Sequence, residues 1–192
     1  MADPLASDVS DRKRHRLIAA CGVLIILLAA GAALLPVVDR GAGAAIVGSM
    51  LFVAGLIETF AGKLHQQAKG LSMLAGAVTT LAALLLLFNP AAHIAPAIVL
   101  VTGWLLVRSV VLLFAGRYSA GSVRMWTLAS AGMDLFLAVV LLLGLSIAAL
   151  VVAWFGPTDE IVAGFAWVLA LSFAVTGSML LEIASCERES AE

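Results

Sequence analysis

The 192-residue chain is 63% apolar and only 12% charged, with a mean hydropathy of +1.13 and a formal net charge of −1. Soluble domains carry about 45–50% apolar and about 25% charged residues, and a chain of this size leaves too much surface exposed to hide the excess in a core. An ordinary soluble domain is excluded, and lipid must cover the remainder.

In chain order, a basic run, Arg12-Lys13-Arg14-His15-Arg16, leads into an apolar run from Leu17 to Val38. That run has 22 residues, against about 7–15 for the core of a signal peptide, so it is read as a retained first span. About 20 apolar residues cross the roughly 30 Å hydrocarbon layer at 1.5 Å per residue. Further runs of this length lie at about 44–62, 70–88, 93–115, 126–148 and 161–183. Backbone amides in lipid must bond within their own segment, so the runs are helices, and the alternating pattern of a β-barrel is absent.

Short connections make neighbouring helices antiparallel. Asp39, Asn89-Pro90 and Pro157-Thr158-Asp159-Glu160 supply helix-start chemistry before the second, fourth and sixth spans.

The first two pairs of spans repeat with an offset of 54 residues: Gly22 recurs as Gly76, Pro36 as Pro90, and Phe60-Ala61-Gly62-Lys63 as Phe114-Ala115-Gly116-Arg117. A third pair follows in weaker form, with Gly55 matched by Gly177 and an extra segment near Ala149 to Glu160, where Ala153-Trp154-Phe155-Gly156-Pro157 has the character of an interfacial stretch. The expected fold is an all-α integral membrane protein of six transmembrane helices, built as three repeated helical hairpins at about 17–62, 70–115 and 126–183. The membrane domain spans 17–185, between a basic cytoplasmic N-terminal tail at 1–16 and a cytoplasmic C-terminal tail at 186–192.

Nine of the eleven Lys and Arg residues fall on one side of this layout: Arg12, Lys13, Arg14, Arg16, Lys63, Lys69, Arg117, Arg124 and Arg188. Arg40 falls on the other side, and Arg108 lies within a span. The positive-inside rule then puts both termini in the cytoplasm. It also accounts for the N-terminal basic run without nucleic acid, and Arg12, Lys13, Arg14 and Arg16 offer a contact for anionic lipid headgroups. Cys21 and Cys186 both fall near the cytoplasmic side and are read as reduced, small apolar fillers rather than a disulfide.

The recurring Gly22-to-Pro36 and Gly76-to-Pro90 spans, with Gly48 through Gly55-Leu56-Ile57-Glu58-Thr59-Phe60-Ala61-Gly62 and Gly103 through Phe114-Ala115-Gly116, resemble the HdeD-like acid-resistance membrane proteins. The resemblance covers about 17–185 and implies a bacterial inner-membrane protein linked to acid or envelope stress, with no catalytic motif to carry over. In the third hairpin Gly144 stands where the proline is expected.

Ionisable groups inside spans cost about 2.5–3.5 kcal/mol each and point to function. Arg108 is nine residues from Arg117 and Asp134 ten from Arg124, which places both roughly 13–15 Å from the inner boundary. An Arg108–Asp134 ion pair facing the bundle interior is expected, as a clamp orienting two helices or as a proton- or ion-responsive site. Glu58 and Glu182 are expected at the inner interface, reaching water or a basic loop residue, with proton sensing as the competing reading, and Glu58 joins Arg108 only if a polar cavity opens there. Of His15, His65 and His93, only His93 faces the periplasm and suits acid sensing. No metal-site spacing occurs, and no cofactor is expected.

Ala166, Ala170, Ala174 and Ser178 form a small-residue ridge on the sixth span, serving either the monomer core or a contact with a membrane-protein partner or a second copy. Trp104 and Trp167 are read as packing anchors. No Walker loop, His-Glu-x-x-His or nucleophile elbow is present, so the expectation is a non-enzymatic protein. A small transporter or channel with a path near Arg108 and Asp134, or an accessory subunit of a larger complex, are the alternatives.

Overall fold

Apolar segments that cannot hydrogen-bond to lipid close their backbone bonds internally, and all six do so as helices. The computed structural model describes residues 4–38, 43–65, 67–88, 97–143 and 160–189. Its helices are α1 (Pro4–Val38), α2 (Gly43–Leu64), α3 (Lys69–Leu87), α4 (Ala97–Arg117), α5 (Gly121–Leu142) and α6 (Glu160–Glu189). Each contains a stretch long and apolar enough to cross a membrane, and no strand occurs among the described residues. Six such helices among the described residues make this a multi-pass membrane protein.

Successive helices pack side by side, α6 returns to α1 to close a ring, and α2 also touches α6. The most extensive pairings are α2 with α3, α6 with α1, and α4 with α5. Leu27, Leu34, Leu81 and Phe136 point outward and are more than half exposed, as a lipid-facing surface requires.

Lipid tails are as apolar as leucine, so close backbone approach has to replace hydrophobic driving force between helices. At the α2–α3 crossing, a Cβ on Gly55 would lie 2.5 Å from the Thr80 backbone nitrogen, and one on Gly76 would lie 2.3 Å from that of Thr59. The two helices thus bring Gly55-x-x-x-Thr59 against Gly76-x-x-x-Thr80. Each threonine hydroxyl donates back to the carbonyl of its own helix's glycine, at 2.8 and 2.9 Å. The α1–α6 crossing uses Gly22 and Gly177, whose added Cβ atoms would sit 3.0 and 2.9 Å from each other's carbonyl oxygens.

Some boundaries differ from the sequence reading. The segment read as an N-terminal tail is helical from Pro4, continuous with the first span, and α6 runs on to Glu189 through the start of the expected C-terminal tail. The fifth helix starts at Gly121 rather than 126, after a connection of only Tyr118 to Ala120. Arg124 therefore lies within its first turn, where a long side chain can reach the headgroup level. Gly121 begins that helix in the left-handed region, with φ +58°, which glycine adopts at no steric cost. Asp39, the Asn89-Pro90 start, Gly144, the 153–157 stretch and the residues just before Glu160 lie outside the described residues.

The small-residue ridge does not stay on one face. Ala166 and Ala170 are buried, Ala174 is exposed and Ser178 is half-buried. Four-residue steps advance about 400° at 3.6 residues per turn, so the stripe drifts about 40° per step and has left the core by Ala174. Gly177 is the residue of this helix that meets another backbone.

Gly76→Ala should force α2 and α3 apart and lower stability by about 1–3 kcal/mol in thermal unfolding in detergent. Gly103→Ala, where a Cβ meets nothing within 4 Å, should leave stability unchanged or slightly higher.

Candidate functional site

Arg108 lies nine residues before the end of α4 and is 1% exposed. A guanidinium has five donors and no acceptor, so burying it demands anions and oxygens on several sides. Its Nη1 pairs with Oδ2 of Asp134 on α5, and its Nη2 with Oε1 of Glu58 on α2. From α6, Thr176 Oγ1 accepts from Nη2 at 2.8 Å and Ser172 Oγ from Nη1 at 3.3 Å. Ser172 and Thr176 are one turn apart, which puts both on the same face of α6. Nε has no hydrogen-bond partner among the described residues. Trp104, one turn before Arg108, holds its ring 5.9 Å from the guanidinium carbon, within cation–π range.

The outer carboxylate oxygens are also satisfied. Ser172 Oγ donates to Asp134 Oδ1 at 2.7 Å, and Thr79 Oγ1 lies 3.1 Å from Glu58 Oε2. Trp104 Nε1 donates to Thr79 Oγ1 at 3.1 Å, which draws α3 into the network. One side chain thus ties together α2, α3, α4, α5 and α6. Asp134 is fully buried and Glu58 is 8% exposed.

A cavity of about 30 Å³ lies between this cluster and the turns joining α2 to α3 and α4 to α5, with Glu58, His65, Ser119, Thr127, Thr176 and Leu180 among its wall residues. One water needs roughly 10–15 Å³ by the same kind of measure, so the space fits about two waters and no organic solute. At the turns, Gln67 Oε1 accepts from the Ala120 backbone nitrogen at 2.9 Å. His65, just past the end of α2, makes a 3.2 Å hydrogen bond through Nδ1 to Ser72 Oγ, while its Nε2 has no partner among the described residues. Burial pushes this histidine down to about 4, so it is neutral at ordinary cellular pH.

Arg108 and Asp134 do meet inside the bundle. Glu58 takes the alternative place expected of it, paired with Arg108 and Thr79 beside a cavity, rather than reaching a basic loop residue at the interface. It lies six residues before the end of α2, against nine for Arg108 on α4. The offset of about 4.5 Å is within an arginine's reach. Glu182 sits half-buried outside the cluster, accepting from Ser122 Oγ at 2.9 Å. His93 and the side chain of Arg12 lie outside the described residues, while Lys13 and Arg16 are exposed and Arg14 is half-buried. Trp104 is a buried hydrogen-bond donor as well as a packing residue. Thr79, Ser172 and Thr176 were missed by sequence reasoning, and the available signal was hydroxyls at one-turn spacing inside apolar spans. Among the described residues, no three His, Cys, Asp or Glu side chains come together to hold a metal ion.

Arg108→Met leaves two buried carboxylates without their cation and should cost about 3–5 kcal/mol or prevent folding. Adding Glu58→Gln and Asp134→Asn to it should recover part of that loss in detergent unfolding. For His65 the folded value lies below the unfolded 6.5, so the unfolded chain takes its proton first as pH falls. Stability should be undiminished above about pH 6.5 and drop by about 3 kcal/mol towards pH 4, and His65→Gln should remove that slope in a pH series of melting curves.

Comparison with family models, with curated proteins and with solved structures gives no match.

Proposed function

We propose that this chain is an HdeD-like, non-enzymatic protein of the bacterial inner membrane, with both termini cytoplasmic, that supports acid or envelope stress tolerance. The observation that carries the reading is a single guanidinium holding two carboxylates from separate helices in a nearly dry core. Protonating either carboxylate removes a negative charge from beside the guanidinium that joins five helices, so the packing of the bundle is coupled to acidity. The protein acts by binding or by shaping the membrane rather than by chemistry. The basic run within α1, including Lys13 and Arg16, rests on anionic headgroups.

A second reading, a small transporter or channel, draws on the cavity that approaches Glu58 from the basic end. Its volume of about 30 Å³ admits water but no organic solute, which favours the scaffold. An accessory role would show as a stoichiometric partner, or a second copy, on purification in mild detergent.

A strain lacking the gene should survive acid challenge less well than its parent, with survival restored by the gene and not by the Arg108→Met variant. Equal survival of deletion and parent would sink the reading, and solute flux in proteoliposomes would favour transport instead.

A further inference from the structure

We propose that Glu58 is a proton-exchange site, loaded and emptied through the cavity at the basic end, while Asp134 is the fixed counter-ion of Arg108. This deepens the acid-responsive reading above, and its first support is a charge count. The cluster contains one cation and two carboxylates, so with both carboxylates ionised it carries one unbalanced negative charge inside the bilayer, where uncompensated charge is costly. The groups facing Glu58 are Thr79 from α3, Arg108 from α4, Asp134 across the guanidinium from α5, and Ser172 and Thr176 from α6, with His65 farther along the cavity wall. Among the described residues, α1 contributes nothing to the cluster or the cavity wall. A single proton balances the charge.

Hydroxyl geometry decides which carboxylate takes it. Thr79 has one hydroxyl hydrogen and two acceptors at 3.1 Å, Glu58 Oε2 and the Ala75 carbonyl. When Glu58 is ionised, Thr79 donates to Oε2. When a proton arrives on Oε2, the new O–H donates to Thr79 Oγ1, and the threonine hydrogen turns to the Ala75 carbonyl. Trp104 Nε1 donates to Thr79 Oγ1 in both states. One O–H bond of a hydronium ion in the cavity breaks as the carboxyl O–H bond forms, leaving a neutral water, and every partner stays satisfied. Ser172 has no such alternative: among the described residues, Asp134 Oδ1 is the one acceptor for its hydroxyl hydrogen. A proton on that oxygen would strand a donor. Access agrees, because Glu58 lines the cavity whereas Asp134 is fully buried and absent from its wall.

The test is infrared difference spectroscopy across a pH titration of the full-length protein in lipid nanodiscs, with side-chain carboxyls labelled with carbon-13 in glutamate or, separately, in aspartate. A protonated carboxyl band should appear at low pH, shift with the glutamate label and vanish in Glu58→Gln. Thr79→Val, which removes the hydroxyl that hydrogen-bonds Glu58 Oε2, should shift the frequency of the band, and Thr79→Ser should restore it. The assignment is overturned if the band shifts with the aspartate label, if Glu58→Gln leaves it unchanged, or if its midpoint follows sodium or potassium concentration. Indifference of the deletion strain to acid alongside a Glu58 band would reject the stress reading and leave the proton site standing.

Discussion

A guanidinium placed where there is no water dictates much of this structure. Five N–H donors and a positive charge must be matched inside the bilayer, and α2, α5 and α6 supply two carboxylates and two hydroxyls for four of the contacts. Removing two ions from water is expensive, and their attraction offsets that cost only where the remaining lone pairs are also satisfied. Here the far oxygens of both carboxylates have hydroxyl partners. The network specifies how five helices are arranged around one point, a task that interchangeable apolar side chains perform poorly.

Away from that point, shape does the work. The α2–α3 and α1–α6 crossings rest on glycines with no room for a methyl group. Threonines at the first of these bend their hydroxyls back to their own helix and expose only small surfaces to the neighbour. Polar attraction at the centre and steric fit near the edges are therefore separate devices, and the α2–α3 pair uses both, since Glu58 and Thr79 lie beside the crossing residues Thr59 and Thr80.

The spans were legible because lipid imposes a length and a composition that few other environments do. Arg108 and Asp134 were legible from distance along the helix to the nearest basic boundary residue, since rise per residue is fixed. Glu58 was legible only as an alternative, because the same counting put it closer to the inner end and took no account of how far an arginine side chain extends. The one-turn spacing of Ser172 and Thr176 was a weak signal and Thr79 had none, as hydroxyls are common in spans and usually bond to the preceding turn. The ridge from Ala166 to Ser178 misled because a four-residue period outruns the helix, whereas the Gly22–Gly177 contact depends on two helices at opposite ends of the chain.

That last contact has a consequence for assembly. Among the described helices α1 finds its most extensive neighbour in α6, so the ring cannot close until α6 has been made. Until then the flank that α1 will present to α6, with Gly22 on it, is open to lipid. The order of translation leaves the α1–α2 hairpin with an unfinished edge, and completion of α6 is the event that seals it.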